Sequence, residues 1–394
     1  MNIPHNDMTA GARAPTIVAR PFEWQDPATL PPRAWVYPWH YIRKFVSVTI
    51  APGGVGKSSL VIAEALAMIT GRNLLGTKPK EAARVWLWNG EDPIDELQRR
   101  VTAALVQHNI APSEVEGRLF LNSGRDDSIC IALQNRQGIQ IAEPQVDAIT
   151  RTIRENAIGV VIVDPFVSSH SVGENDNNAI DRVAKTWARI ADATNTSIEL
   201  VHHSRKNGGA ETTVEDGRGA VALLAAARAA RVLNTMTKEE AERAGVEHHH
   251  EYVRIDDGKA NLTPISEASQ WFRKVGVHLW NGPGGSGGDS VGVVIGWTWP
   301  DPLEDLTTVD LHKVQAAVAA SRWRKDSQAK EWVGIAIADT LGLDLSDKAN
   351  RNRVKSLQRM WTESGALVEF TEKDEKRNER TYVRAGGGRE GEAA

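Results

Sequence analysis

The stretch Thr49–Val61, TIAPGGVGKSSLV, constrains this chain more than any other. An apolar run enters a glycine-rich turn, followed by Lys, two Ser and a second apolar run. Gly53, Gly54 and Gly56, with Val55 between them, let backbone N–H groups turn inward around a phosphate. Lys57 reaches the β- and γ-phosphates, and the Ser58 hydroxyl is placed to hold Mg2+. Ser59 continues into a helix whose positive end faces the site. The pattern thus assigns ATP and Mg2+ to the segment Gly53–Ser59. Ala51 stands where the pattern has its first glycine, at the strand exit, where alanine is tolerated. Such a loop demands a strand before it and a helix after it.

The rest of the chain meets that demand by alternating strands and helices. VWLWN reads as a buried strand, LFLN as a further strand, and DPIDELQRRVTAALVQH as an amphipathic helix with Asp92 at its cap and Pro93 first in the helix. VVIVD is a run without alternation, the mark of a central parallel strand. The fold class is therefore α/β with a mostly parallel central sheet. Short strands after residue 252 extend the sheet as antiparallel edges. The organisation reads as a Pro- and aromatic-rich extended arm over 1–40, a large α/β domain over 41–299, a linker over 300–308, a small domain over 309–385 and a tail over 386–394.

Composition narrows the class. One cysteine, Cys130, excludes a disulfide framework and a Cys-based zinc site, and favours a reducing cytoplasm. The N-terminus lacks the apolar core of a signal peptide. No apolar run nears the roughly 20 residues needed to span a bilayer. The net charge is −4, yet residues 309–384 hold 15 Lys+Arg against 12 Asp+Glu. That surplus points to an anionic partner at the C-terminal end.

A phosphate-binding loop needs an acid to hold Mg2+, and Asp164, ending VVIVD, is the candidate. Glu91, in WNGEDP at the end of the strand after the loop's helix, reaches the same crevice. A catalytic Glu there, instead of directly after the Asp, is the arrangement of RecA-like ATPases.

On APGGVGKSS, WNGEDP, the run from VVIVDPFVSSHSVGENDNNA to ELVHHSRK, DGRGAVALLAAARAARVLNTM and DDGKANLTP…WFRK, the chain resembles the RepA-type plasmid replicative helicases, hexameric RecA-like motors. The resemblance covers about residues 40–280. It implies that Glu91 is the catalytic base and Asp164 the Walker B acid. It implies that His202 or His203 senses the γ-phosphate, although two histidines ending a strand can also be polar residues at a sheet rim. It implies that SHSVGENDNNA and RKNGGAETTVEDGR, with Arg205 and Lys206, contact single-stranded DNA. It makes Arg228 the arginine finger acting across subunits, with Arg218 and Arg231 as rivals, Lys259 as a helper, and a homo-oligomer, favoured as a hexamer, as the working form. The alternative is that these arginines form ion pairs at the end of an apolar helix. The EHHHE run at 247–251 reads as a solvated turn.

The C-terminal region lies outside the resemblance. Three helices and a charged hairpin follow the plan of a winged helix-turn-helix. Its second turn helix, about Asp347–Ser364, carries Lys348, Arg351, Arg353, Lys355 and Arg359, with Asn350 and Asn352 for base contacts. Lys373, Lys376, Arg377 and Arg380 on the hairpin would clamp duplex DNA. A protein-interaction module is the competing reading. For the whole chain, the expected function is an ATP-driven motor on DNA. The rival readings are a filament-forming recombination ATPase and an ATP-switched DNA-binding regulator.

Overall fold

Strand β3 (Val46–Ala51) runs through the glycine-rich turn into α1 (Lys57–Thr70), so the phosphate-binding pattern is a strand–loop–helix unit. The computed structural model describes residues 18–204, 211–217, 220–262, 269–374 and 377–387. Arg205, Lys206, Arg218 and Lys376 lie outside the described residues. Residues 18–34 belong to a unit of their own (Met1–Ala34) and are exposed throughout. Their one regular feature is a turn of 3-10 helix, Pro27–Thr29, capped by the Asp26 carboxylate.

The second unit starts at Trp35. The arm expected over 1–40 therefore ends six residues early, because β1 (Trp35–Tyr37) and β2 (Tyr41–Ile42) pair with each other and bury Val36, Tyr37 and Tyr41 beside α1. After α1 come β4 (Val85–Asn89), α2 (Ile94–Gln107), the short α3 (Pro112–Val115) and β5 (Leu119–Ser123). A hairpin of β6 (Ala132–Asn135) and β7 (Gly138–Ile141) leads to α4 (Glu143–Glu155). Next are β8 (Val160–Asp164), α5 (Asn177–Thr194), β9 (Ser197–His203), α6 (Ala220–Ala226), β10 (Ala229–Thr235) and α7 (Lys238–Ala244). β11 (Tyr252–Ala260), β12 (Gln270–His278) and β13 (Ser290–Trp297) complete the sheet.

The nine strands lie in the order β13-β12-β11-β10-β3-β9-β8-β4-β5. The six from β10 to β5 are parallel and β11, β12 and β13 are antiparallel, as the alternation of elements implies. β8 and β9 are buried along nearly their whole length, with helices over both faces, which explains their unbroken apolar runs. One face packs α4 and α5 through Ile149, Ile153, Val183 and Trp187. The other packs α1 and α2 through Leu66, Ile69, Val101 and Ala104.

The expected helix through AVALLAAARAAR is two elements. α6 ends at Ala226, and β10 begins at Ala229 as the strand beside β3, with the Arg228 N–H donating to the Val46 carbonyl. Alanine favours helix locally, but an edge of β3 left unpaired in the core would orphan its backbone groups.

After the linker come α8 (Thr308–Ala319), β14 (Trp323–Arg324), α9 (Val333–Leu341), α10 (Lys348–Glu363), β15 (Leu367–Lys373) and β16 (Glu379–Ala385). The sheet order is β14-β16-β15, so the hairpin gains a third strand that the sequence pattern did not reveal. Val314, Trp332, Ile337, Val354, Leu357 and Trp361 make a separate core for these elements. No helix among the described residues is long and apolar enough to cross a membrane.

A buried ionic network lies under the loop. The Arg231 guanidinium donates to both oxygens of Glu64 on α1, at 2.6 and 2.7 Å. Its Nε donates to the Thr49 hydroxyl at 2.9 Å, and the Tyr41 hydroxyl donates to Glu64 at 2.8 Å. Thr49 in turn donates to Glu199 on β9, which also accepts from Ser47 and lies 2.8 Å from His40 Nε2. Removing one partner of a buried pair costs about 3–5 kcal/mol, whereas replacing both with apolar groups is often neutral. Arg231→Met should therefore lose stability of that order in urea denaturation, and the R231M/E64L double variant should recover most of it. A single variant as stable as the parent would remove this network from the account of the fold.

Candidate active site

The loop keeps its shape through two positive dihedrals, Gly54 at φ 79° and Gly56 at φ 115°, which only glycine adopts at no cost. Val55 is buried and plugs the loop into a cluster with Ala51, Leu60 and Leu75. Ala51 is itself fully buried at the end of β3, so a methyl group fits where the pattern has glycine. Gly53 and Gly54 are exposed. Ser59 anchors the start of α1 by donating to the Gly292 carbonyl on β13 at 3.0 Å.

Lys57 is buried and donates to the Ala51 and Pro52 carbonyls at 3.2 and 2.9 Å. Burial lowers its pKa, and the charges of Asp164 and Glu91 oppose that shift. Its ammonium lies 3.1 Å from His203 Nδ1. An ammonium only donates, so Nδ1 is the acceptor and a neutral ring carries its proton on Nε2. That Nε2 faces the Glu91 carboxylate at 3.6 Å. One imidazole thus stands between the loop lysine and Glu91.

The Ser58 hydroxyl donates to Asp164 Oδ2 at 2.6 Å. A hydroxyl and a carboxylate side by side at a phosphate-binding loop are donors that a hard cation takes, and the pair fits Mg2+. Burial raises the Asp164 pKa against the hydrogen bond from Ser58 and the charge of Lys57.

Asn89 escaped the sequence reading. It ends β4 in register with Asp164, and its Oδ1 accepts from the Glu91 and Asp92 N–H groups at 2.9 and 2.8 Å. Its Nδ2 lies 3.4 Å from Asp164 Oδ2. Gly90 donates to the Asp164 carbonyl at 2.8 Å, and a Cβ there would stand 2.3 Å from Ser168 Cβ. Asn89 and Gly90 therefore fix the turn that presents Glu91. The signal was a polar residue closing an otherwise apolar strand, VWLWN.

Several sequence-level assignments move. Asp92 is not the cap of α2; Pro93 holds that position, and Asp92 pairs with Arg100 at 3.1 Å. His202 does not join the site. It is buried against the Phe166 ring, because neighbours on a strand face opposite sides. Arg231 is excluded as a finger by its burial against Glu64. Arg228 sits before β10, beside Val46, at the end of the sheet away from the loop, with its guanidinium over the Phe45 ring. The length of β3, about 17 Å, separates it from the start of its own loop. Lys259 is its neighbour: burial and then the Arg228 charge lower the Lys259 pKa.

Three of the α10 residues read as DNA contacts take other partners. Lys348 pairs with Glu247 at 3.5 Å. Arg351 lies over the Trp332 ring and donates to the Ser327 carbonyl. Arg353 donates to the Pro302 and Glu304 carbonyls of the linker. Arg351 and Arg353 are thus structural ties, since their donors are taken by backbone, while Lys355 stays exposed.

Three outcomes check this geometry. Glu91→Gln should abolish turnover and leave nucleotide bound in an equilibrium-dialysis measurement; surviving turnover would remove Glu91 as the base. For Asp164, a raised native pKa means that the folded state holds its proton more tightly than the unfolded state. Stability of the nucleotide-free protein should then fall as pH rises above about 4, the unfolded carboxyl value. Asp164→Asn should melt higher than the parent at neutral pH while losing Mg2+-dependent hydrolysis.

Residues 13–209 match a family model described as an AAA domain. The crystal structure of the RadB recombinase is similar over 59% of this chain and 88% of that chain, at 14% identity and a TM-score of 0.39. A second solved structure, described as an ATPase domain, is similar over 59% of this chain and 82% of that chain, at 13% identity and a TM-score of 0.44. With half its length matched and an α/β core around the phosphate-binding loop, the chain belongs to the AAA domain family of P-loop ATPases.

Proposed function

We propose that this protein is an ATP-hydrolysing motor on DNA whose active site is completed by a second copy of the chain. The observation that carries this reading is the position of Arg228. It lies with Lys259 at the far end of the sheet from its own loop, out of reach of its own nucleotide. A phosphate that this pair contacts belongs to a neighbour. An arginine supplied in trans stabilises the charge that develops on the γ-phosphoryl group, by a factor of about 10³ or more.

Within one subunit the roles divide as follows. Lys57 and the loop N–H groups bind the phosphates. Ser58 and Asp164 would hold Mg2+, which would offset the negative charge of the phosphates. Glu91, fixed by Asn89 and Gly90, orients water and takes its proton. His203, between Lys57 and Glu91, links the presence of the γ-phosphate to the end of β9. The segment after β9 leads to Arg205 and Lys206, which we assign to the DNA.

The contact that brings Arg228 to a neighbour's loop is head-to-tail. Such a contact makes a ring if its rotation closes and a filament if it does not. The ring, a hexameric helicase-type assembly, is our reading, and the filament of a recombination ATPase is the alternative. The C-terminal elements, three helices with a three-stranded sheet, fit a winged-helix type of module that docks the assembly on DNA.

Mixing is the decisive experiment. Arg228→Ala and Glu91→Gln subunits should each be nearly inactive alone. Mixed, they should regain hydrolysis, because some interfaces combine an intact Glu91 with an intact Arg228. No regain would sink the shared site. Mass photometry with an ATP analogue and single-stranded DNA separates a closed hexamer from an open filament, and a persistent monomer without DNA-stimulated hydrolysis would overturn the motor.

A further inference from the structure

α10 carries the basic residues that the sequence assigns to a duplex groove, and the end of α7 lies against its N-terminal half. A Cβ at Gly245, just after α7, would lie 3.6 Å from Asn352 Cβ and 3.7 Å from the Ala349 Cα. A helix fills a major groove about 12 Å wide by itself. α7 lies against one side of α10, which therefore does not stand free on all sides as a helix seated in a groove does.

Between α7 and α10 lies a cleft of about 770 Å³. One wall is a stripe of α10 at helical spacing, Lys348, Asn352, Lys355 and Arg359. The other wall includes Lys238, Arg243 and His249. Five Lys and Arg side chains line the cleft against three glutamates, and Glu247 already faces Lys348. An adjoining cleft of about 430 Å³ shares Arg243, Ser356 and Arg359 and is lined by Trp271 and Trp299. These indoles are half-buried with ring centroids 5.1 Å apart, and Arg243 lies over the Trp299 ring. Cations at one end and aromatic faces at the other are the two elements by which proteins hold unpaired nucleotides.

The place in the fold adds to this. α7 leaves the C-terminal end of β10, and Trp271 stands at the same level through its pairing with Arg254, which pairs with Asn234. The phosphate-binding loop leaves the C-terminal end of β3, the neighbour of β10. Cleft and nucleotide therefore share one rim of the sheet.

We propose that this composite cleft, built by the ATPase core and the C-terminal elements together, binds single-stranded nucleic acid. Bases stack at Trp271 and Trp299, and phosphates rest on Lys238, Lys355 and Arg359. The inference rests on the reading of the chain as a DNA-dependent ATPase, but it names a site apart from the segment that holds Arg205 and Lys206.

The test uses the full chain and fluorescein-labelled oligo(dT), oligo(U) and a blunt duplex, followed by anisotropy against salt. The K355E/R359E variant should lose tenfold or more in oligo(dT) affinity and show a shallower salt slope, because fewer counterions are released. Trp299→Ala should lose about tenfold with the slope unchanged, and Trp299→Phe should restore most of it. Circular dichroism confirms that each variant is folded. Oligo(dT) and oligo(U) arms tell DNA from RNA, and the duplex should bind more weakly than either. A 5-iododeoxyuridine oligonucleotide should photocrosslink to the peptides that contain Trp271 or Trp299. Parent-like affinity of both variants, or crosslinks only elsewhere, overturns the cleft and leaves the motor reading standing. Tight binding through the cleft without stimulated hydrolysis overturns the motor and leaves the cleft. Binding of an unrelated acidic peptide as tightly as oligo(dT) would show a protein-docking surface instead.

Discussion

The arrangement hinges on the Arg231–Glu64 pair. Two charges removed from water are tolerable only with close geometry and with every remaining donor satisfied. Here the two terminal guanidinium nitrogens meet both carboxylate oxygens, Nε donates to Thr49, and Tyr41 donates to the carboxylate. The pair ties α1 to β10 across β3, so the helix that follows the phosphate-binding loop cannot shift without exposing a charge to the core. Through Thr49 and Glu199 the same network reaches β9, the strand that ends in His203. The loop and the histidine beside it are thus set on one rigid base.

On that base the groups of the candidate site converge because parallel strands end at the same rim. β3 delivers Lys57 and Ser58, β8 delivers Asp164, β4 delivers Asn89 and the Glu91 turn, and β9 delivers His203. The contact of Ser58 with Asp164 and the contact of His203 with Lys57 cross between these strands. Arg228 belongs to the opposite end of the same sheet. Under the proposed function these two ends supply two halves of one hydrolytic site, completed by a second copy of the chain.

Much of this was legible without coordinates. Lys57, Ser58 and Asp164 follow from a glycine pattern and an apolar strand ending in Asp, both local signals. Glu91 follows from the rule that parallel strands end together. The choice between His202 and His203 was not legible, since strand alternation says only that one faces the site, not which. The role of Asn89 was hidden because its partners are 2, 3 and 75 residues away. β10 was misread as helix because alanine propensity is local, whereas the unpaired edge of β3 that recruits it is not.

The sequence alone determined the class of chemistry, a strand–loop–helix phosphate site, and pointed to the acid and base proposed for it, each within a few consecutive residues. Tertiary structure decided what each arginine does. Arg228 and Arg231 are three residues apart, yet one lies beside an aromatic ring at the sheet's end and the other is sealed against Glu64. It also turned α10 from an open helix into one wall of a cleft. The reason is the same in both cases: a side chain's charge is written in the sequence, but its partners and its access to water are set by which elements the fold packs around it.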